Sequence, residues 1–344
     1  MNGSRSVVRA RLLAVAFLGS ISWAPSGCGG PVSSVPPAGS PAAASAGRVE
    51  GQPVTYAFTS IDDPAGPTFT ELLAINNENK IGGFYGSGTP SDPRHGLMAL
   101  PPYGVKNFRT ITYPSAASTM VTSLNNKNVI AGTYTDKKAN VYGFSAADGL
   151  WTAYKDPLAR TDPTVTNLDA INDAPAGVGT FTASTGIQKG FQVNLVSGTF
   201  GTLVPPQSTN TVATGIMGPG DVVGYLTTAS GSTLGFLLRQ GTYYEFAYPG
   251  AARTFALGIT LHDKIVGCYV DTSGATHGFL LTEPTRKHYT AWQSIDEPNA
   301  AGMTVVTGIN NHGNLVGYYV DGAGSTHGFF ATPGASGARR TPGA

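Results

Sequence analysis

Short apolar runs alternate with turns rich in glycine, asparagine and proline along most of this chain, from about residue 54 to residue 332. The runs are rich in β-branched and aromatic residues, and no long segment shows the periodicity of an amphipathic helix. Such punctuation is typical of short β-strands joined by tight turns. The pattern therefore predicts an all-β protein.

The pattern consists of six copies of one unit. Each copy opens on an aliphatic residue that in most copies precedes an Asn-rich turn, and a glycine lies eight positions later in all six. The opening residues are Ile75, Leu124, Ile171, Ile216, Ile259 and Ile309. The glycines are Gly83, Gly132, Gly179, Gly224, Gly267 and Gly317. Because a glycine inside a strand marks a bulge or a close approach of two backbones, we interpret these six as structural positions.

Further positions recur behind that glycine. In five copies an aromatic residue follows two positions later, and in every copy a second glycine precedes Phe or Leu. These pairs are Gly96-Leu97, Gly143-Phe144, Gly190-Phe191, Gly235-Phe236, Gly278-Phe279 and Gly328-Phe329. Each copy also contains a short apolar stretch that runs into proline, such as Thr59-Ser60-Ile61-Asp62 before Pro64 and Phe246-Ala247-Tyr248 before Pro249.

The length of the unit indicates the architecture. Successive opening residues are 49, 47, 45, 43 and 50 positions apart, and a repeat of about 40–50 residues with four strands is typical of a propeller blade. Six copies predict a six-bladed β-propeller of four-stranded antiparallel blades. The first strand, about Val54 to Ile61, has no hairpin partner before it, and the last copy ends on Phe329-Phe330 without a partner after it. Pairing of these N- and C-terminal strands would close the ring and remove exposed sheet edges.

The region before the repeats predicts export. Residues 1–28 contain three arginines followed by an apolar run, Leu12 to Trp23, that is too short to span a bilayer, as in a signal segment. Residues 29–50 are almost wholly Pro, Ala, Ser, Gly and Val, which predicts a disordered linker. Residues 51–333 hold the predicted propeller, and residues 334–344 are predicted to be a disordered tail.

Cys28 is a candidate lipid-attachment site. Small residues precede it, as in a bacterial lipoprotein signal, and the linker would hold the folded domain away from the membrane. Pro25 departs from that signal, because the third residue before the cysteine is normally aliphatic, so ordinary secretion after Ala24 is the alternative. We therefore expect an exported protein, either in the bacterial cell envelope as a lipoprotein or secreted.

The charge balance narrows the range of partners. The formal net charge is +1 and 12% of the residues are charged, so the chain provides no basic field for nucleic acid and no acidic field for cationic partners. We expect an extracellular glycan or protein as partner, contact with a membrane only through the N-terminal lipid, no nucleic acid, and no cofactor.

The aligned copies resemble the HAF-repeat extracellular proteins of bacteria. The sixth copy matches their pattern at Gly308-Ile309-Asn310, Gly317-Tyr318-Tyr319, Asp321 and His327-Gly328-Phe329. Glycine replaces the alanine of the naming tripeptide throughout, and the third and fourth copies have Lys189 and Leu234 instead of its histidine. The resemblance covers about 280 residues. It implies export and a repeat fold, and it implies no activity and no catalytic residues.

Three histidines occupy the same position in their copies and are the natural candidates for a metal site: His95, His277 and His327. Equivalent positions lie around a ring in a propeller, so these side chains do not converge unless they line the central channel. An imidazole N–H bonded to Asp271 or Asp321 in a turn of the same blade is the simpler interpretation. With no close His or Cys pair of zinc-like spacing, we predict no metal and assign these residues a structural role.

Paired carboxylates are the signal for an enzyme, because propellers host glycosidases. Asp62-Asp63 and Asp296-Glu297 recur next to proline, yet the second, third and fifth instances of this stretch have Thr112, Lys155 and Ala247 in place of the first acid. No combination of nucleophile, base and orienting group emerges from the spacing. An envelope-anchored polysaccharide-cleaving enzyme, a glycosidase or lyase, is therefore kept as the alternative to a non-catalytic protein.

The repeat is interrupted at Gly86 to Arg94, Lys155 to Thr166 and Glu283 to Gln293, and loops on a rigid scaffold commonly carry function. The last insertion has the densest cationic and aromatic cluster of the chain, and Arg286, His288, Tyr289 and Trp292 are its candidate ligand-binding residues. Such side chains suit a glycan or a protein loop. We expect a non-catalytic surface propeller that binds one of these, and a scaffold without a specific ligand is the remaining hypothesis.

Overall fold

The computed structural model describes residues 53–89, 91–218, 220–285 and 288–334, with only the backbone of residues 283–285 and 288–290. The predicted signal segment, Cys28, the linker at 29–50 and the tail from residue 335 lie outside these ranges. Within them the chain forms β-strands and one short 3-10 helix at Val105–Asn107, so the all-β class is confirmed.

Twenty-four strands follow one another in the described ranges. In chain order they are β1 (Tyr56–Ser60), β2 (Thr70–Ile75), β3 (Ile81–Tyr85), β4 (His95–Ala99), β5 (Phe108–Ile111), β6 (Ser118–Leu124), β7 (Ile130–Thr135), β8 (Val141–Ala147), β9 (Leu150–Tyr154), β10 (Thr166–Ile171), β11 (Ala176–Thr182), β12 (Gln188–Asn194), β13 (Phe200–Leu203), β14 (Ser208–Ile216), β15 (Val222–Thr228), β16 (Thr233–Arg239), β17 (Thr242–Phe246), β18 (Arg253–Ile259), β19 (Ile265–Val270), β20 (Thr276–Thr285), β21 (His288–Ile295), β22 (Thr304–Ile309), β23 (Leu315–Val320) and β24 (Thr326–Pro333).

Consecutive strands pair antiparallel in groups of four. The first to fifth groups are β2–β5, β6–β9, β10–β13, β14–β17 and β18–β21, and the sixth is β22–β24 with β1 on the outer side of β24. The fourth and fifth groups are joined into one eight-stranded sheet by a single parallel pair, Thr233 with Arg253. Bridges at the equivalent positions also join other neighbouring groups, for example Thr276 with Met303. The eight-stranded sheet is therefore two groups of four in contact at one point.

The first strand of the chain pairs with the last. Tyr56 lies opposite Pro333 and Ser60 lies opposite Phe329, so β1 takes the place that a fourth hairpin strand takes in the other groups. A second contact supports this placement, because the hydroxyls of Ser60 and Tyr319 lie 2.9 Å apart.

The glycine eight positions after each opening residue is required by a close approach of two backbones. The first strand of each group has a register shift at one unpaired residue, and the carbonyl oxygen of the residue two positions before it lies against the glycine. A Cβ at Gly317 would lie 2.0 Å from the oxygen of Val305, and a Cβ at Gly132 would lie 1.9 Å from that of Met120. The other four glycines show the same approach within 2.1 Å. No side chain fits at that distance, which explains why all six copies have glycine.

The phenylalanine of each Gly-Phe pair fills the core of its group. Five of these rings are fully buried: Phe144, Phe191, Phe236, Phe279 and Phe329. Burial of such a ring stabilises the fold by roughly 2–3 kcal/mol. The glycine before the ring allows the next group to pack closely, since a Cβ at Gly278 would lie 2.6 Å from Val306 and one at Gly328 would lie 2.6 Å from Leu72.

The asparagines behind the opening residues tie neighbouring groups together. The Oδ1 atom of Asn125 accepts the backbone N–H groups of Lys127 and Val129 in its own turn, while its Nδ2 donates to the carbonyl of Asn172 in the next group at 2.9 Å. Asn76, Asn172 and Asn310 make the corresponding donation to the carbonyls of Asn125, Met217 and Asn76. The last of these bonds leads from the sixth group to the first. Each opening residue and the two residues after it form a triplet. The six triplets together line one cavity of about 170 Å³, here called the Asn cavity.

Candidate functional site

A second cavity, of about 180 Å³, lies where the third, fourth and fifth groups meet. We call it the Arg253 cavity. Its lining residues are Gln188, Asn210, Val212, Tyr225, Thr227, Thr233, Arg253 and Phe255. Polar side chains from three groups therefore share one small concave space with two aromatic rings, which is the composition that small-ligand sites favour.

Strand register explains how this cavity forms. Val212 lies opposite Tyr225 across β14 and β15, and alternate residues of a strand share a face, so Asn210 and Thr227 lie on the same side. Phe255 on β18 contacts Tyr225 edge-on, with ring centroids 5.0 Å apart. The two rings form an apolar wall, while the N–H of Gln188 donates to Asn210 Oδ1 at 3.1 Å and connects the third group to the rim.

Arg253 gives the cavity its charge. Its side chain is partly buried and makes no ion pair with a carboxylate of the described residues, unlike Arg239, which bonds Asp221 and Asp263. None of the eight lining residues is an aspartate or glutamate. Burial, and then the nearby charge of Asp169, raises the pKa of Tyr225, so its phenol stays neutral. The cavity thus has one cation and several neutral hydrogen-bonding groups, which suits a ligand with oxygen acceptors or a negative charge.

Sequence reasoning missed Arg253. It occupies the position six residues before the opening residue of its copy, and the other copies have Phe69, Ser118, Val165, Asn210 and Met303 there. A comparison that seeks shared residues passes over this position. Arg253 could have been found by looking for differences between the copies, because it is a charged residue at a position that is uncharged in the other five.

The predicted ligand-binding cluster of the Glu283–Gln293 insertion is only partly described. Arg286 lies outside the described residues, as do the side chains of His288 and Tyr289, whose backbone belongs to β21. The structure places Trp292 in the packing of the fifth group, with its ring 5.1 Å from Phe279 and 5.2 Å from Tyr248. Trp151 has the same surroundings in the second group. The structure therefore gives Trp292 a packing role and does not bring it to either cavity.

Each of two predicted structural histidines lies between two carboxylates. The Nδ1 atom of His277 is 2.8 Å from Asp296 and its Nε2 is 3.5 Å from Asp271, within one group. His327 repeats the arrangement, at 2.9 Å from Asp62 and 3.3 Å from Asp321. Asp271 and Asp321 are the turn partners expected from the sequence, and the contacts with Asp296 and Asp62 were not foreseen.

His95 differs from the other two. Its ring stacks on Tyr85 with centroids 5.2 Å apart. The residue that follows its strand neighbour β5 is Thr112, at the position where the other two groups have an aspartate. The three histidines occur in three different groups and do not come together. Among the described residues no group of three or more His, Cys, Asp or Glu side chains is placed to hold a metal ion.

Comparison with known proteins finds matches among solved structures. No family model and no curated protein matches the sequence. Solved structures that align with it include AofleA from Arthrobotrys oligospora (12% identity, TM-score 0.46, over 83% of this chain and 85% of that chain) and TolB from Acinetobacter baumannii (13%, 0.42, 79% and 65%). A third is the Aleuria aurantia lectin, a six-bladed β-propeller with a novel mode of fucose recognition (8%, 0.49, 79% and 99%). These identities and TM-scores carry no argument about what the present chain binds.

The described residues contain no helix of the length and hydrophobicity needed to cross a membrane.

Proposed function

We propose that the chain is a six-bladed β-propeller closed by the β1–β24 pair and that it is a non-catalytic binding module for an extracellular glycan. Two observations support the closed ring. The six triplets line one common cavity, and the sixth group bonds to the first through Thr307 Oγ1, which donates to the carbonyl of Leu72 at 2.7 Å. A closed ring has no free sheet edge, which suits a rigid module outside the cell.

The Arg253 cavity is the observation that supports binding. Its size fits a single sugar unit rather than a protein loop, and the partly exposed Tyr225 in its wall offers aromatic contact for the apolar face of a sugar. Asn210, Gln188 and the threonine hydroxyls supply donors and acceptors for sugar hydroxyls.

The charge of the cavity indicates the class of glycan. A guanidinium binds a carboxylate through two parallel hydrogen bonds, and a partly buried Arg253 without a carboxylate partner in the described residues is available for that contact. We therefore propose a saccharide with a carboxylate, such as a uronic acid. Cleavage by a carboxylate pair finds no support at this cavity, because its lining has no aspartate or glutamate.

The place of action belongs to the same proposal. The sequence of residues 1–28 predicts export, and acylation of Cys28 would tether the module to the cell envelope through the linker. Mass analysis of the mature N-terminus tests this part: an acylated Cys28 supports the tether, and a terminus after Ala24 supports secretion.

Titration calorimetry of the full chain with a uronic acid oligosaccharide and with its methyl ester tests the binding. We expect the acid to bind and the ester, which has the same rings without the charge, to bind at least about tenfold more weakly. Arg253→Gln should reduce the affinity for the acid to that for the ester. Arg109→Gln, at an exposed site on β5, is the matched control and should leave both affinities unchanged. Equal loss in both variants, or formation of new reducing ends or unsaturated products, would overturn the proposal.

A further inference from the structure

A third, enclosed cavity lies on the line where the six groups meet. We call it the axial cavity. The first strand of each group contributes the residue two positions before its opening residue, and these residues are Leu73, Thr122, Asp169, Thr214, Leu257 and Thr307. The side chain of Tyr318 completes the lining. The volume is about 20 Å³, which is the space of one water-sized species.

The three threonines of this cavity donate their hydroxyl protons to backbone carbonyls of the next group. Thr122 Oγ1 donates to the carbonyl of Leu168 at 2.6 Å, Thr214 Oγ1 donates to that of Ala256 at 2.8 Å, and Thr307 Oγ1 donates to that of Leu72. Each bond leads into the next group. The lone pairs of these three oxygens are therefore the part of each hydroxyl that remains for the cavity.

Two more oxygens join them. Asp169 is 4% exposed and contributes a buried carboxylate, one oxygen of which accepts a hydrogen bond from Thr180. Tyr318 is 1% exposed, and its hydroxyl has no hydrogen-bond partner in the described part of the chain. Buried polar atoms are nearly always satisfied by protein, water or an ion, so an unpartnered phenol that lines a cavity of this size indicates an occupant.

We propose that the axial cavity binds one monovalent metal cation, sodium or potassium. Five side chains that carry an oxygen line a space for one ion, beside Leu73 and Leu257, and oxygen ligands are those that hard cations prefer. The single negative charge of Asp169 matches one positive charge, whereas a calcium site takes six to eight oxygens and several carboxylates. Bound there, the ion would connect four of the six groups at the centre of the fold, through Thr122, Asp169, Thr214, Thr307 and Tyr318. The axial cavity and the Arg253 cavity have no lining residue in common.

Thermal unfolding of the full chain in sodium, potassium and choline chloride at equal ionic strength tests the proposal. We expect a Tm at least about 3 °C higher in one alkali salt than in choline, saturating with concentration. Tyr318→Phe removes one oxygen and should abolish most of this difference, and Asp169→Asn should abolish all of it. Asp173→Asn removes an equal charge from the Asn cavity and should retain the difference.

A crystal soaked in a thallium salt gives a second readout that does not depend on how the variants fold. An anomalous peak within the axial cavity supports the cation site. The same Tm in all three salts, or a cavity that holds water without an anomalous peak, would overturn it. Tyr318→Phe that is as stable as the parent chain in every salt would do the same, because it would show that the hydroxyl has no ligand.

Discussion

The Nδ1 atom of His327 on β24 lies 2.9 Å from Oδ2 of Asp62, which follows the end of β1. These residues are far apart in sequence, and their contact fixes the first strand of the chain to the last. The other oxygen of Asp62 accepts the N–H of Gly328 at 3.1 Å, so the carboxylate bonds β24 through both oxygens. His277 and Asp296 make the same contact in the fifth group, where a hairpin already joins the two strands.

Loss of the His327 contact should loosen β1. We expect His327→Gln to lower the free energy of unfolding by about 1 kcal/mol, because one charge-assisted hydrogen bond at a partly exposed site is lost. Amide hydrogen exchange of Ala57 to Thr59 should become faster. His277→Gln is the matched control, and its outer strand β21 should keep its protection because the hairpin holds it. Unchanged exchange of β1 in His327→Gln would contradict the closing role.

The same contact should depend on pH. Burial opposes the imidazolium, yet the carboxylates of Asp62 and Asp321 outweigh it and raise the pKa of His327 above its ordinary value of 6.5. A group with a raised folded-state pKa contributes stability that is fully present below the unfolded pKa and is lost as pH rises through the folded one. The stability difference between the parent chain and His327→Gln should thus be largest below about pH 6.5 and shrink in more alkaline buffer. Denaturant unfolding at pH 5.5 and pH 8.5 measures it, and an equal difference at both values would contradict the charge assignment.

The repeated glycines should not tolerate a methyl group. Gly317→Ala places a Cβ 2.0 Å from the carbonyl oxygen of Val305, so strand β23 must move and the protein should lose about 3 kcal/mol or more of stability. Gly322→Ala is the control, since a Cβ there meets nothing within 4 Å. Chemical denaturation of the two variants compares them. Equal stability of the two would show that the bulge is not the reason for the glycine.

The asparagine bonds between neighbouring groups should contribute more to stability than exposed bonds nearby. Asn125→Ala leaves two turn N–H groups and the carbonyl of Asn172 without their partner, and it should cost about 2–3 kcal/mol. The adjacent Asn126 is exposed and bonds Asp173, so Asn126→Ala should cost less than about 1 kcal/mol. Thermal unfolding gives the ranking, and a larger loss for Asn126→Ala would contradict it.

Trp292→Ala should affect stability and not binding. The ring packs on Phe279, Tyr248 and Phe246, with centroids 5.1 to 5.9 Å apart, so its removal should cost about 2–4 kcal/mol. Affinity for a uronic acid oligosaccharide, measured below the unfolding temperature, should stay within about twofold of that of the parent chain. If the folded variant no longer binds the oligosaccharide, the ligand site lies at the β20–β21 hairpin and the expectation is wrong.

Repetition made much of the fold predictable. Comparing the copies predicts the position of each glycine, the Gly-Phe pairs and the unpaired first and last strands. The copies share these residues because each group of four strands packs in the same way.

The residues of the two proposed sites were less predictable, because a comparison of copies finds what the copies share. Arg253 and Asp169 stand at positions where no other copy has a charge, so they disappear in a consensus. An aspartate at this position occurs in the two groups in which it contacts the histidine, as Asp296 with His277 and Asp62 with His327. The second pair cannot be recognised along the sequence, because Asp62 follows β1 at the start of the chain and His327 lies on β24 near its end. Which side chains share a cavity depends on how the groups pack, and no spacing within one copy contains that information.

The most direct test is a crystal structure of the chain soaked with a uronic acid oligosaccharide. We expect density for a sugar between Arg253, Asn210 and Tyr225, with the carboxylate against the guanidinium. Sugar density at the β20–β21 hairpin or in the Asn cavity, with the Arg253 cavity empty at a saturating concentration, would contradict it.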